Sequence, residues 1–203
     1  LTVSARSFLT QFLGIEAATF PLLFLTAYKR RGERSTRAGT KFAVTEFVGT
    51  GLYLFGVSVI FACFGSADFE YLAAVDKTRI LPAVLWGVSF IVAGLAVKIG
   101  LAPFHLWAPD VYEGAPSPVT AVFAVLARLC FIAALARIVS GPFADLEPYR
   151  QSVLGVMGIL SVFIGGFGAV VQTNVKRLLA YTVIVQNGFV MQALVAADLN
   201  LTV

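Results

Sequence analysis

The chain has 203 residues, 59% of them apolar and only 13% charged. A soluble domain carries about 25% charged residues, and here the charges stand between long apolar runs, so the pattern is that of a polytopic membrane protein rather than a soluble core. The net charge of +4 is local: Lys29, Arg30, Arg31, Arg34, Arg37 and Lys41 form a basic stretch flanked on both sides by apolar runs, which reads as a short loop on the negative side of a membrane and not as a nucleic-acid patch.

Six spans are predicted in chain order: 7–28, 42–64, 80–101, 118–136, 153–171 and 178–197. Each holds roughly the 20 residues needed to cross the hydrocarbon. The fold class is therefore all-α, a single transmembrane domain over 1–203. Glycines recur within the spans, as expected where helices approach closely, and Gly165–Gly166 marks a candidate flexible point in the fifth. The third span does not end like an ordinary helix, because Gly100, Pro103, Pro109, Pro116 and Pro118 punctuate the segment from 100 to 118. Pro103 lacks a backbone donor, so the helix is expected to break near Lys98–Ala102. Such breaks at membrane depth line polar cavities or pack inside protein. Ser117 and Pro118 then read as cap and first residue of the next helix.

If the basic loop lies inside, so do the 102–117 segment and the turn with Lys176 and Arg177, which gives eight Lys and Arg inside. The opposite side has three, Lys77, Arg79 and Arg150. Cys63 and Cys130 each fall inside an apolar run with no metal, Fe–S or disulfide spacing. No cofactor or metal is therefore expected in this chain, and no nucleophile triad or phosphate loop is visible. Residue 1 is leucine and no cleavable leader is evident, so the sequence reads as processed or as a piece of something longer.

Four ionisable residues fall within spans: Glu16, Glu46, Lys98 and Arg128, with Lys41 at the mouth of the second. A charge at mid-bilayer costs on the order of 2.5–3.5 kcal/mol even on the lenient insertion scale, and such groups pair across helices and mark ion pathways. Two readings stay open: working groups of a proton path, or static salt bridges that brace the bundle. Glu16 and Lys98 are the expected pair, and Glu46 is a further candidate, a counter-ion to Arg128 if the second and fourth spans meet. A guanidinium keeps its proton, so Arg128 is expected to act as a fixed charge. His105, next to the break, reads as a loop hydrogen-bonder.

The run Lys98-Ile-Gly-Leu-Ala-Pro-Phe-His-Leu-Trp-Ala-Pro-Asp-Val-Tyr-Glu-Gly-Ala-Pro-Ser-Pro-Val119 closely resembles the hallmark of the antiporter-like subunit 2 of respiratory complex I, NADH:quinone oxidoreductase, which is related to subunits of multi-component Na⁺/H⁺ antiporters. Phe12-Leu-Gly-Ile-Glu16-Ala, Ala38-Gly-Thr-Lys41-Phe and Gln172-Thr-Asn-Val-Lys-Arg-Leu-Leu-Ala-Tyr181 are similar to further blocks of that family in the same order. The resemblance implies a fourteen-helix fold of which these six look like the fifth to the tenth. It implies that Glu16 matches the family glutamate that pairs with a lysine, Lys98 that lysine on the discontinuous helix, Lys41 a second lysine, and Arg128 a relay lysine. Three positions depart from the pattern: arginine at 128, glutamate at 46 in place of a small or apolar residue, and Gln186 in place of a frequent histidine.

The function so implied is redox-driven proton translocation. This chain carries charge movement alone, while FMN, iron–sulfur clusters and ubiquinone belong to other subunits. A carboxylate that approaches or leaves a buried ammonium changes how firmly it holds its proton. The alternatives are a subunit of a multi-component Na⁺/H⁺ antiporter and a degenerate structural piece of the membrane arm. Expected partners are other membrane-arm subunits, separate chains supplying the missing flanking helices, and the lipid bilayer. The expected location is the mitochondrial inner membrane, where such subunits are split, with the bacterial plasma membrane as the alternative.

Overall fold

The computed structural model describes residues 2–28 and 33–199, with backbone alone at 79 and 197–199. Lys29, Arg30 and Arg31 of the predicted basic loop lie outside the described residues, as does the side chain of Arg79. Among the described residues there are helices α1 (Phe8–Thr26), α2 (Glu33–Phe64), α3 (Phe69–Ala74), α4 (Leu81–Ile99), α5 (Ala108–Gly114), α6 (Ser117–Val122), α7 (Arg128–Ser140), α8 (Glu147–Val170) and α9 (Val175–Leu199), and no strand. A π-turn over Phe123–Ala127 joins α6 to α7 into one span. Among the described residues six spans are long and apolar enough to cross a membrane, and large apolar side chains such as Phe24, Trp86, Phe167 and Val170 face outward. The protein is an all-α, multi-pass membrane protein.

The predicted spans differ from the helices mainly at their starts. α2 begins at Glu33 rather than Phe42, so Arg34, Arg37 and Lys41 are helical instead of lying in a loop. Glu33 and Arg37, four apart and 3.3 Å from each other, are an exposed pair of the kind that supports a helix in water. α8 begins at Glu147 with proline in its first turn, where a missing backbone donor costs nothing. α6 likewise carries its proline in the first turn, but Pro116 occupies the cap and Ser117 is already helical.

The expected break is present. α4 ends at Ile99, and Gly100 takes the left-handed conformation (φ 76°) that favours glycine. The Leu101 amide reaches back to the Ala96 carbonyl at 2.9 Å, closing the helix end. A short 3-10 turn over Phe104–Trp107 then leads into α5. Backbone groups freed by the break find side chains from other elements, as a low-dielectric interior demands. Ser161 on α8 accepts from the Ala102 amide at 2.9 Å, Asn187 on α9 donates to the Ile99 carbonyl at 2.9 Å, and Trp107 donates to the Val97 carbonyl at 2.8 Å.

Glycine sets the closest packing. A Cβ built on Gly94 of α4 would lie 2.6 Å from the Gly49 carbonyl oxygen of α2, and one on Gly56 would lie 2.5 Å from the Gly87 carbonyl oxygen. The two helices thus run antiparallel with their backbones in contact. α8 and α9 repeat the device, since a Cβ on Gly188 would stand 2.6 Å from the Gly158 carbonyl oxygen. Tyr53 of α2 and Gln11 of α1 add a buried polar tie. Tyr53 donates to the Gln11 side chain at 3.0 Å, and Gln11 donates to the Ala134 carbonyl of α7 at 3.1 Å.

Charged groups gather at the two ends of the bundle. At one end Lys41 contacts Asp110, and Arg177 holds Asp110 at 3.0 Å and Glu113 at 3.1 Å. This brings together the starts of α2 and α9 with the segment after the break, the three pieces that the loop charges assigned to one side. At the other end Lys77 is buried and pairs with Asp145 at 2.9 Å. Arg137 donates to the Ala5 carbonyl at 2.7 Å over the Phe69 ring.

Candidate functional site

The glycine contacts fix the register of α2 on α4. Gly56 meets Gly87 and Gly49 meets Gly94, so one further turn along the pair brings Glu46 opposite Lys98. Lys98 is buried, only 3% exposed, and its Nζ donates to Glu46 Oε2 at 2.6 Å. The same Nζ donates to Glu16 Oε1 at 3.1 Å. Glu16 is held in turn by the Thr50 hydroxyl, which donates to its Oε1 at 2.7 Å. Lys98 is the penultimate residue of α4, so the ammonium sits where the helix breaks.

The expected Glu16–Lys98 pair is thus formed, and it has a third member. Glu46 does not serve Arg128 as expected; it is the nearer partner of Lys98, because the register of the glycine contacts points it at α4 and not at α7. Arg128 instead donates to Gln186 of α9 at 2.9 Å. Lys41 stands apart from this cluster, at the charged end with Asp110. His105 is buried in the turn after the break.

Two small cavities flank the cluster. One of about 10 Å³ is lined by Glu16, Thr19, Glu46 and Thr50 among others. Another of about 20 Å³ is lined by Lys98, Trp107, Tyr112 and Arg128 among others. Both are close to the roughly 10–15 Å³ that one water molecule needs. Glu46 Oε1 is buried without a hydrogen-bond partner, so the carboxylate presents an unused acceptor. Among the described residues no group of three or more His, Cys, Asp or Glu could hold a metal.

Chemically, the site is an ammonium clasped by two carboxylates inside a bundle. Taking each ion out of water costs several kcal/mol, which only close contact and further hydrogen bonds offset. The arrangement suits proton exchange, with water-sized spaces on two sides.

The fold and the site together define a multi-pass helical membrane protein with paired charge buried at a broken helix. The chain belongs to the NADH:quinone oxidoreductase/Mrp antiporter transmembrane family, whose model matches residues 5–201. It is 42% identical over 204 residues to NADH-quinone oxidoreductase subunit N of Paramagnetospirillum magneticum, covering 98% of this chain and 42% of that protein. It is 41% identical to the subunit N of Rhodospirillum rubrum, over 97% of this chain and 41% of that protein. Among solved structures, a chain of respiratory complex I from Thermus thermophilus with bound aureothin superposes with a TM-score of 0.82 at 30% identity, over 96% of this chain and 42% of that one. A chain of the archaeal membrane-bound sulfane sulfur reductase gives 0.87 at 30%, over 95% and 40%. The Mrp complex from a Dietzia species shares the fold, at a TM-score of 0.85 and 24% identity over 94% of this chain and 36% of that one. The chain therefore spans about two-fifths of the length of the curated relatives it matches.

Several residues at this site escape a reading of charge and hydropathy. Asn187, Ser161 and Trp107 hold the broken backbone, Thr50 holds Glu16, and the glycines choose the partner of Lys98. One signal was present: glycines seven apart on α2 (Gly49, Gly56) and on α4 (Gly87, Gly94) mark one face of each helix. Glu46 lies three residues before the first pair and Lys98 four after the second.

Proposed function

We propose that this chain is the central part of a proton-translocating, antiporter-like membrane-arm subunit of NADH:quinone oxidoreductase, of the subunit 2 type. Quinone reduction elsewhere in the complex drives proton movement past Lys98, and Glu16 modulates the charge of that lysine. The observation that carries the reading is the 3.1 Å contact between Lys98 and Glu16 at the end of a broken, buried helix. The relatives named subunit N and the hallmark run from Lys98 to Val119 support this branch of the family over a Na⁺/H⁺ antiporter subunit. Lys41 and Arg128 shape the path: Lys41 at the charged end beside Asp110, and Arg128 as a fixed positive charge facing the cavity that Lys98 also lines.

The remaining helices of a fourteen-helix fold come from the rest of the same subunit or from separate chains, and the neighbouring membrane-arm subunits are the further partners. FMN, iron–sulfur clusters and ubiquinone are held outside this chain. The relatives are bacterial, which favours the bacterial plasma membrane over the mitochondrial inner membrane, with the Arg34–Lys41 end of the bundle on the inner face. The test is Lys98→Met in the assembled complex. Quinone reduction and assembly should persist while protons pumped per electron pair fall. An unchanged proton yield would refute the reading.

A further inference from the structure

Glu46 is the feature that the family pattern leaves without a role. It faces Lys98 at 2.6 Å, nearer than Glu16 at 3.1 Å. The glycine contacts set the register that places its Cα opposite Lys98. Glu46 is 5% exposed, and its second oxygen, buried and without a hydrogen-bond partner, belongs to a residue lining the small cavity shared with Glu16, Thr19 and Thr50.

The charges around the ammonium can be counted. α4 supplies one positive group, Lys98, and α1 and α2 supply two carboxyls. With all three ionised the cluster carries one excess negative charge at membrane depth, where an uncompensated charge is costly. Further positive groups on the packed elements include Lys41 on α2, which contacts Asp110, and Arg128 on α7. Arg128 meets Lys98 across a cavity also lined by Tyr112 of α5 and makes no ion pair with either carboxylate among the described residues. It can offset the excess only from across that cavity. Like charge on the second carboxyl opposes ionisation of both, while the ammonium between them favours it.

We propose that Glu16 and Glu46 share one exchangeable proton around Lys98, Glu46 being the member held in place by the glycine contacts. The proton adds to a carboxylate oxygen and the ammonium stays charged, paired with whichever carboxyl remains ionised. When the proton leaves, both carboxylates face the ammonium again. No other reactant is consumed. This rests on the proton-translocating reading above and deepens it: protons still pass Lys98, but the carboxyl pair carries the exchangeable proton in place of a change in the charge of the lysine.

The experiment is pH-jump infrared difference spectroscopy of the carboxylic acid C=O stretch in the intact complex containing this chain, with protons pumped per electron pair measured alongside. Sharing requires that the acid band vanish in Glu46→Gln and also in Glu16→Gln, since either variant leaves one carboxylate for one ammonium. Glu46→Asp should keep the band, shifted, and recover the pumping that Glu46→Gln loses. Persistence of the band in Glu46→Gln, or its loss in only one of the two glutamine variants, would overturn the proposal. Should Glu46→Gln fail to assemble, an unshifted band in Glu46→Asp would overturn it as well. Lys98→Met separates the two ideas. Normal pumping there defeats the proton-translocating reading itself, whereas lost pumping with the acid band intact in Glu46→Gln defeats only the shared proton.

Discussion

Replacing Glu16 by glutamine tests whether its pair with Lys98 is a switch or a brace. The substitution keeps shape and an acceptor oxygen, so the 2.7 Å bond from Thr50 can persist. What is lost is the charge of one of two acceptors of Lys98. Breaking a lone buried ion pair costs about 3–5 kcal/mol, because the survivor is left uncompensated. Here the survivor keeps Glu46 at 2.6 Å, so that penalty does not apply in full. The expected cost is the difference between a hydrogen bond to a charged group, about 1.5–3 kcal/mol, and one to a neutral group, about 0.5–1.5 kcal/mol. The loss is then roughly 1–2 kcal/mol, small enough for assembly to survive in a bundle tied at many other points. The assay is complex abundance in the membrane together with protons pumped per electron pair. The expected result is near-normal abundance with reduced proton yield. Abundance falling while each remaining complex pumps normally would show a brace and refute the argument.

Two further predictions rest on the same geometry. Gly94→Val places side-chain atoms where a Cβ already lies 2.6 Å from the Gly49 oxygen; overpacking of this kind costs about 1–3 kcal/mol, so both abundance and per-complex pumping should fall. Gly51→Ala on α2, with nothing within 4 Å of the new atom, should be silent, and equal effects of the two changes would count against the glycine register. Arg128→Lys keeps a positive group on the cavity shared with Lys98 and should leave proton yield unchanged or improved. A large loss with assembly intact would show that the guanidinium itself is indispensable.

The spans, the break and the Glu16–Lys98 pair were legible because each has a local or additive cause. Apolar runs of fixed length mark spans, glycine and proline punctuate the break, and a lone charge in an apolar run calls for a partner. The partner of Glu46 was not legible in the same way. Assigning it to Arg128 matched opposite charges without a register, and register depends on which faces touch. Lys77 does lie in the connection between spans where its charge was counted, but its burial was not legible, for a related reason. As a residue between spans it counted as a loop charge, yet it is buried against Asp145, because the connection between α3 and α4 folds back onto the bundle end. Asn187 and Ser161 carry no charge and sit on ordinary apolar helices, so nothing in their own segments shows that they receive the ends of another.

The buried charges and the glycine contacts are best understood as one device. In lipid there is no hydrophobic drive to bring two helices together, so close backbone contact must come from small residues and polar ties. Contact of that kind is stiff, and it fixes the position of whatever side chain lies one turn beyond it. Lys98 lies one turn beyond Gly94 and Glu46 nearly one turn beyond Gly49, so the stiffness of the helix pair is transferred to the ion pair. Glu16 reaches the same ammonium from α1, and a threonine hydroxyl, not a backbone contact, positions it on the α2 side. The cluster therefore joins one carboxylate fixed by packing to one held by side-chain hydrogen bonds. A site built that way can alter the second contact while the first keeps the ammonium from being stranded, and the break after Ile99 brings the freed backbone to the same place without exposing it to lipid.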